Sequence, residues 1–192
     1  MAFLTQYDSP LGVLHLASDG KAVRGLWIEG QKYFAATLDG DTQARADIPV
    51  FQQAAVWLDA YFAGKALPEL PALAPQGSPF RQAVWKLLLE IPYGQTTTYG
   101  KLARRLRESG IAASAQAVGG AVGHNPISIL IPCHRVVGTG GSLTGYAGGV
   151  EKKRFLLELE GVDIDGAACT EERNGAVKNR RECSRPFFYI TK

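Results

Sequence analysis

Cys133 and His134 are the residues of this 192-residue chain best placed to do chemistry, since they are adjacent in the segment Pro-Cys-His-Arg-Val that begins at Pro132. A free thiol ionises with a pKa near ~8.5, so a nucleophilic cysteine needs a base, a cation or a helix terminus that favours the thiolate. His134 and Arg135 are adjacent candidates for these roles. A thiolate that attacks a carbonyl forms a thioester that water cleaves, whereas one that attacks a saturated carbon forms a thioether that persists. The pentapeptide leaves both chemistries open, together with an unreactive, buried Cys133.

The composition is that of a globular protein, with 46% hydrophobic and 20% charged residues. We find no run of roughly eighteen apolar residues and no signal-peptide pattern, so we expect a cytoplasmic protein that does not enter membranes. Cys133, Cys169 and Cys183 show neither CxxC nor zinc-type spacing. We therefore expect no disulfide framework, no metal and no other cofactor.

Charge is distributed unevenly along the chain. Residues 1–77 carry five basic and eight acidic groups, whereas residues 78–163 carry ten basic and six acidic groups. A basic second half favours a polyanionic partner such as DNA, although an ordinary solvated surface would show the same balance.

The first 65 residues have the pattern of a small α+β scaffold. Alternating or apolar runs at 2–7, 11–17 and 22–29 predict strands, because Ser9-Pro10 and Asp19-Gly20 separate them as turns. Apolar residues at helical spacing predict a helix over 50–63. Three prolines and little charge at 66–77 indicate a linker.

The second half predicts a helix-turn-helix. Ser78 and Pro79 begin one helix, a second runs over 99–107, and a third runs over 112–123 after a Ser-Gly turn. The third helix carries no charge and has many small residues, which favours a close contact with DNA that does not depend on the base sequence. A helix packed inside the domain would also need small residues, because its neighbours approach it closely. The apolar run at 127–131 predicts a buried strand that ends before Cys133.

Several segments of the second half together match one protein family. They are FRQAVW from Phe80, TYGKLA from Thr98, AVGGA from Ala117, Asn125-Pro126, IPCHRVV from Ile131 and GYAGG from Gly145. On these residues, 78–163 resembles the O6-alkylguanine-DNA alkyltransferases, or methylated-DNA-protein-cysteine methyltransferases, of the bacterial constitutive type. The first 65 residues fit the family only in length and strand pattern.

The resemblance implies an α+β fold in two domains. A small N-terminal α/β domain of ribonuclease H-like type occupies 1–65, and a mainly helical, winged-helix-like domain with the helix-turn-helix occupies 78–163. Residues 164–192 lie beyond the matched pattern, and we expect them to form a poorly ordered tail.

The resemblance also implies a DNA-repair activity. Such a protein binds double-stranded DNA through the minor groove, flips an O6-alkylguanine or O4-alkylthymine into a pocket, and transfers the alkyl group irreversibly to Cys133. The thioether explains why each molecule acts once. We expect a monomer in solution that can cluster on DNA.

Family roles transfer to matching positions. Cys133 matches the alkyl acceptor, His134 the histidine that takes its proton through a bridging water, and Glu160 the carboxylate that orients the imidazole. Glu158 is a natural control for Glu160. Asn125 matches the residue that links the helix-turn-helix to the active-site loop, and Tyr99 matches a donor to the departing guanine.

A second group matches the DNA-binding surface and substrate pocket, namely Gln116, Ala117, Gly119, Gly120, Arg135, Val136, Tyr146 and Ala147. Gln116 departs from the family, because an arginine at this position enters the base stack and glutamine is shorter and neutral. An alternative function is therefore a lesion-recognising member with impaired base flipping. Lys153 matches a basic position of the family, and a solvated helix face explains it equally well.

Three rival classes remain open. A cysteine hydrolase would turn over repeatedly, and a helix-turn-helix regulator would show strong sequence preference. A non-catalytic lesion sensor of the same family is the nearest rival, but such relatives replace the cysteine that this chain keeps.

Overall fold

The computed structural model describes residues 1–143 and 145–164. Apart from Ile164, the tail predicted at 164–192 lies outside the described residues, as do Cys169 and Cys183.

An N-terminal sheet forms the first layer of the protein. Its strands are β1 (Ala2–Ser9), β2 (Gly12–Ser18), β3 (Val23–Ile28) and β4 (Thr42–Ala44). The order across the sheet is β3-β2-β1-β4, with β1, β2 and β3 antiparallel and β4 parallel to β1. The three predicted strands are confirmed. The sequence did not indicate β4, because its three residues are all exposed and carry no alternation of apolar and polar side chains.

The predicted first helix is α1 (Pro49–Phe62), which buries Phe51, Leu58 and Tyr61 among other residues. Residues 66–77 then return along the sheet: the amide of Val23 donates to the carbonyl of Ala72 at 2.8 Å, and the amide of Ala74 donates to the carbonyl of Val23 at 2.8 Å. This segment therefore lies against β3.

The second half is mainly helical. Its elements are α2 (Pro79–Leu89), β5 (Thr97–Thr98), α3 (Tyr99–Glu108), α4 (Ala115–Gly123), β6 (Val136–Val137) and α5 (Val150–Leu159). Ser78, Thr98 and Ser114 cap α2, α3 and α4 through their hydroxyl oxygens. The helix predicted over 112–123 begins at Ala115, three residues later than predicted. Ser114 is its N-cap, because its hydroxyl oxygen accepts from the amide of Ala117.

The strand predicted at 127–131 is wrong. Ile127 forms a single parallel bridge with Leu26, and the chain then folds back so that the amide of Ile131 donates to the carbonyl of Ile127 at 3.1 Å. Ile129 adopts a φ of 69°, which an extended strand does not allow. The run is apolar because this loop is buried between the two halves, and burial alone does not distinguish a strand from a loop.

One continuous hydrophobic core joins the sheet, α1 and the helices of the second half. The architecture is the predicted α+β arrangement of an N-terminal sheet domain and a C-terminal helical domain. Within the described ranges no helix has the length and apolar character that crossing a membrane requires.

Candidate active site

Cys133 lies at the start of a single 3-10 turn, Cys133–Arg135, and its side chain is almost fully buried. Asn125 shapes the loop that leads to it. The Asn125 amide donates to the carbonyls of Ile127 and Ile131 at 3.2 and 2.9 Å, and its oxygen accepts from the amide of Ile127 at 3.0 Å. Asn125 therefore ties the end of α4 to the backbone just before Cys133, the linking position predicted for it.

The carboxylate of Glu160 is the centre of a buried polar cluster. Its Oε1 accepts from His134 Nε2 at 2.7 Å, from the Tyr61 hydroxyl at 2.7 Å and from Arg135 Nη2 at 3.0 Å. Its Oε2 accepts from Arg135 Nε at 2.8 Å and from the amide of Gly94 at 3.1 Å. Burial opposes ionisation of Glu160, but the hydrogen bonds from His134 and Arg135 outweigh it and lower its pKa to about 2.

An ionised carboxylate can only accept hydrogen bonds, so the neutral His134 ring must carry its proton on Nε2. Its Nδ1 then presents a lone pair, and among the described residues this buried nitrogen has no hydrogen-bond partner. Burial, together with the positive charges of Arg135 and Lys153, outweighs the opposite effect of Glu160 and lowers the pKa of His134. The imidazole is therefore a neutral base at neutral pH, and no described residue occupies its accepting nitrogen.

Asn125 and Lys153 make the buried Cys133 thiol easier to ionise. Burial raises the pKa of Cys133, while a hydrogen bond with Asn125 and the positive charge of Lys153 lower it. Lys153 donates from Nζ to the carbonyl of Val136 at 2.6 Å and is fully buried. Burial lowers the pKa of Lys153 to about 8, although the nearby Cys133 favours its charged form.

The interpretation of Lys153 as part of a solvated helix face is therefore wrong. Lys153 lies on the buried face of α5 with Leu156 and Leu157, three and four residues further along the helix. That spacing was the signal in the sequence that Lys153 points inward.

Tyr99, at the start of α3, is framed by two glycines. A Cβ atom at Gly119 would lie 3.8 Å from its ring, and one at Gly145 would lie 2.9 Å from its hydroxyl. Gly145 also has a φ of +77°, so a side chain there would be both strained and in collision. Tyr99, α4 and the loop at Gly145 thus meet at one place.

The same loop carries the predicted pocket residues Tyr146 and Ala147. The ring of Tyr146 is buried, and its hydroxyl has no hydrogen-bond partner among the described residues. The carbonyl of Ala147 accepts from the backbone amide of Lys32 at 3.1 Å, so the N-terminal domain holds this loop. Val136 is fully buried, and its carbonyl is used by Lys153.

Family models match both halves of the chain. The 6-O-methylguanine DNA methyltransferase ribonuclease-like domain matches residues 3–70, and the DNA binding domain of the same family matches residues 79–162. A Haemophilus influenzae protein named methylated-DNA–protein-cysteine methyltransferase is 42% identical over 160 residues, which cover 82% of this chain and 86% of the relative. The chain belongs to the 6-O-methylguanine DNA methyltransferase family.

Other members are equally similar in sequence and share the fold. The Mycobacterium tuberculosis protein of the same name is 46% identical over 153 residues, covering 80% of this chain and 88% of the relative. The crystal structure of Mycobacterium tuberculosis OGT in complex with DNA superposes with a TM-score of 0.72 at 43% identity, covering 82% of this chain and 92% of that chain. The match includes the N-terminal sheet, which the sequence alone related to the family only weakly.

In this family member, α4 presents an uncharged surface. Gln116, Ala117 and Gly120 are exposed and Gly119 is half-buried, which leaves this side of the helix free for contact. The basic side chains of α3 are partly neutralised. Arg104 forms an ion pair with Glu108 at 2.8 Å, and Arg105 forms one with Glu90 at 2.5 Å.

Arg135, predicted to take part in substrate or DNA binding, lies inside the protein instead. Its guanidinium donates to both carboxylate oxygens of Glu160 and to the carbonyl of Ile91 at 2.7 Å, and it is 7% exposed. The side chain is drawn inward because Glu160 offers a planar, two-oxygen partner that matches the guanidinium.

Tyr61 is a residue of the cluster that the sequence did not indicate. It belongs to the apolar face of α1, where a tyrosine at helical spacing is indistinguishable from an ordinary core aromatic. The signal for this contact in the sequence is the hydroxyl itself, since a buried phenol needs a hydrogen-bond partner. The described residues also contain no group of three or more His, Cys, Asp or Glu side chains that could hold a metal.

Proposed function

We propose that the protein repairs alkylated DNA by direct reversal, transferring the alkyl group of O6-alkylguanine to Sγ of Cys133. The observation that carries the proposal is the neutral His134, whose Nε2 donates to the ionised Glu160. Its Nδ1 has no hydrogen-bond partner in the described part of the chain, so it can accept a proton beside Cys133. Membership of the family, whose relatives are named for this reaction, supports the same conclusion.

In the proposed mechanism, the thiol proton passes to His134 Nδ1 through a bridging water, since side chains of adjacent residues seldom bond directly. The positive charge of Lys153 and the amide of Asn125 stabilise the thiolate that forms. Glu160 stabilises the imidazolium and fixes its orientation.

The thiolate then attacks the saturated alkyl carbon. The S–C bond forms as the C–O bond to guanine O6 breaks, and the electron pair of that bond returns to the base. Guanine takes up one proton as it leaves and the thiol gives one up, so no co-reactant is required. Tyr99 is the proposed donor to the departing base: burial, followed by the charge of Cys133, raises its pKa and keeps the phenol protonated.

Helix α4 forms the proposed DNA-binding surface. Its exposed small residues allow the duplex to approach closely, so that a flipped base can enter the pocket near Tyr146 and Ala147. We further propose that O4-alkylthymine is a second substrate. The protein would act as a cytoplasmic monomer whose copies can cluster on DNA.

A second candidate function is lesion recognition with impaired base flipping. It is favoured by Gln116, which is exposed as the second residue of α4, where the family pattern has an arginine. Glutamine cannot supply the planar cation that fills the stack vacated by the base.

Mass spectrometry after incubation with O6-methylguanine duplex DNA tests the proposal. We expect one methyl group per protein molecule, located on the peptide that contains Cys133. The protein incubated with unmodified DNA and the Cys133→Ala variant should carry none. Binding without methyl transfer would support the lesion-recognition function, and release of product beyond one equivalent would support a hydrolase.

A further inference from the structure

Tyr61 belongs to the N-terminal domain but contacts the centre of the catalytic cluster. It is fully buried, and its hydroxyl donates to Glu160 Oε1 at 2.7 Å. The same hydroxyl lies 3.4 Å from His134 Nε2. The rest of the ring is held by packing, since it stacks on Trp57 with the ring centroids 5.2 Å apart and an interplanar angle of 11°. One hydroxyl group therefore connects the first domain to the catalytic carboxylate.

We propose that Tyr61 is a positioning residue that weakens the hydrogen bond from His134 to Glu160 and so keeps the imidazole neutral at the pH where it must accept a proton. The inference rests on the proposed function of Cys133 and His134.

Oε1 of Glu160 is shared between several hydrogen-bond donors. This oxygen accepts from Tyr61, from His134 and from Arg135. Each added donor withdraws negative charge from the oxygen, which then stabilises a proton on the imidazole less strongly. In a buried site this redistribution is not masked by water, so removing the Tyr61 hydroxyl should make Glu160 a stronger partner for the imidazolium and raise the pKa of His134.

The other groups that face the pair remain in place when Tyr61 is changed. Arg135 and Lys153 carry positive charge and lower the pKa of His134, whereas Glu160 raises it. Further titratable neighbours of the cluster among the described residues include Cys133, Tyr93 and Tyr146. The ring of Tyr93 lies against the Arg135 guanidinium, and its hydroxyl donates to the carbonyl of Leu159. A shift caused by the loss of one neutral hydroxyl can therefore be assigned to Tyr61.

The experiment measures the single-turnover rate of alkyl transfer to Cys133 in the full-length protein as a function of pH. In Tyr61→Phe we expect the midpoint of the acid limb to move up by about half a pH unit, because protonated His134 persists to higher pH. At the pH of the unchanged protein's midpoint, the variant should react at about one quarter of its own plateau rate, roughly half the rate of the unchanged protein at that pH. Replacing Tyr61 with 3-fluorotyrosine, which is a stronger donor of nearly the same shape, should move the midpoint down.

Trp57→Phe is the matched control, because Trp57 packs on the same ring. We expect it to lower the stability and leave the midpoint unchanged. Midpoints that coincide in the unchanged protein, Tyr61→Phe and the 3-fluorotyrosine protein would overturn the inference. If Tyr61→Phe does not fold, the 3-fluorotyrosine protein alone decides. Absence of transfer by the unchanged protein at every pH would instead refute the proposed function.

Discussion

Replacing Glu160 with glutamine removes the one negative charge of the buried cluster while keeping nearly the same shape. Glu158, two residues earlier on α5, supplies a matched control. Its side chain is 54% exposed, and its contact is a loose ion pair with Arg154 at 3.9 Å. The side chain of Glu160, in contrast, is fully buried and accepts hydrogen bonds from His134, Arg135, Tyr61 and Gly94.

The expected loss of stability follows from the pKa of Glu160. It is lowered from an ordinary 4.5 to about 2, so the folded protein favours the carboxylate by about 2.5 pH units. At ~1.36 kcal/mol per unit, this corresponds to roughly 3 kcal/mol at neutral pH. A second figure for the same loss agrees with this, since removing one partner of a buried ion pair, which here leaves the Arg135 guanidinium without an anion, typically costs ~3–5 kcal/mol. We therefore expect the free energy of unfolding to fall by about 3 kcal/mol.

The rate should fall as well. A glutamine oxygen can still accept from His134 Nε2, but it cannot stabilise the imidazolium by charge. Because general-base catalysis contributes ~10²–10⁴ in rate, we expect alkyl transfer to slow by at least ~100-fold. Glu158→Gln should change the stability by less than ~0.5 kcal/mol and leave the rate unchanged.

Urea unfolding at pH 7 and single-turnover transfer from O6-methylguanine DNA measure the two effects. A free energy of unfolding of Glu160→Gln within about 1 kcal/mol of that of the unchanged protein would contradict the role assigned to the buried carboxylate. Equal losses of stability and rate in the two variants would contradict it as well, because burial would then not distinguish the two carboxylates.

Three further predictions address acid stability, DNA engagement and the thiol. The pKa of Glu160 is lower in the folded than in the unfolded protein. The stabilisation that its carboxylate provides is therefore complete above about pH 5 and is lost as the pH falls towards 2. Urea unfolding across this range should show a fall in the free energy of unfolding that is absent from Glu160→Gln. Gln116→Arg should raise the transfer rate on alkylated duplex DNA while barely changing the reaction with free O6-benzylguanine, and equal effects on both substrates would contradict its proposed role. Lys153→Met removes the positive charge near Cys133, so transfer from the free base at pH 7.5 should slow by about tenfold; an unchanged rate would show that Lys153 does not favour the thiolate.

Much of the fold could be predicted because local signals are strong where they occur. Ser78 and Pro79 mark the start of α2, and turns separate the alternating or apolar runs that form the first three strands. The predictions failed where a local pattern has more than one structural cause. An apolar run at 127–131 suits a buried loop as well as a strand, and the start of α4 depends on the cap that Ser114 makes.

The sequence by itself determined which residues are chemically able to act. Cys133 and His134 are neighbours in the chain, and the family resemblance added Glu160, Asn125 and Tyr99 at matching positions. Only the tertiary structure decided how the charges are arranged. It turned Arg135 and Lys153 inward and brought Tyr61 to Glu160 across 99 residues of sequence. Side-chain type is a local property, whereas the basicity of His134 and Cys133 depends on burial and on partners that come together only when both domains pack.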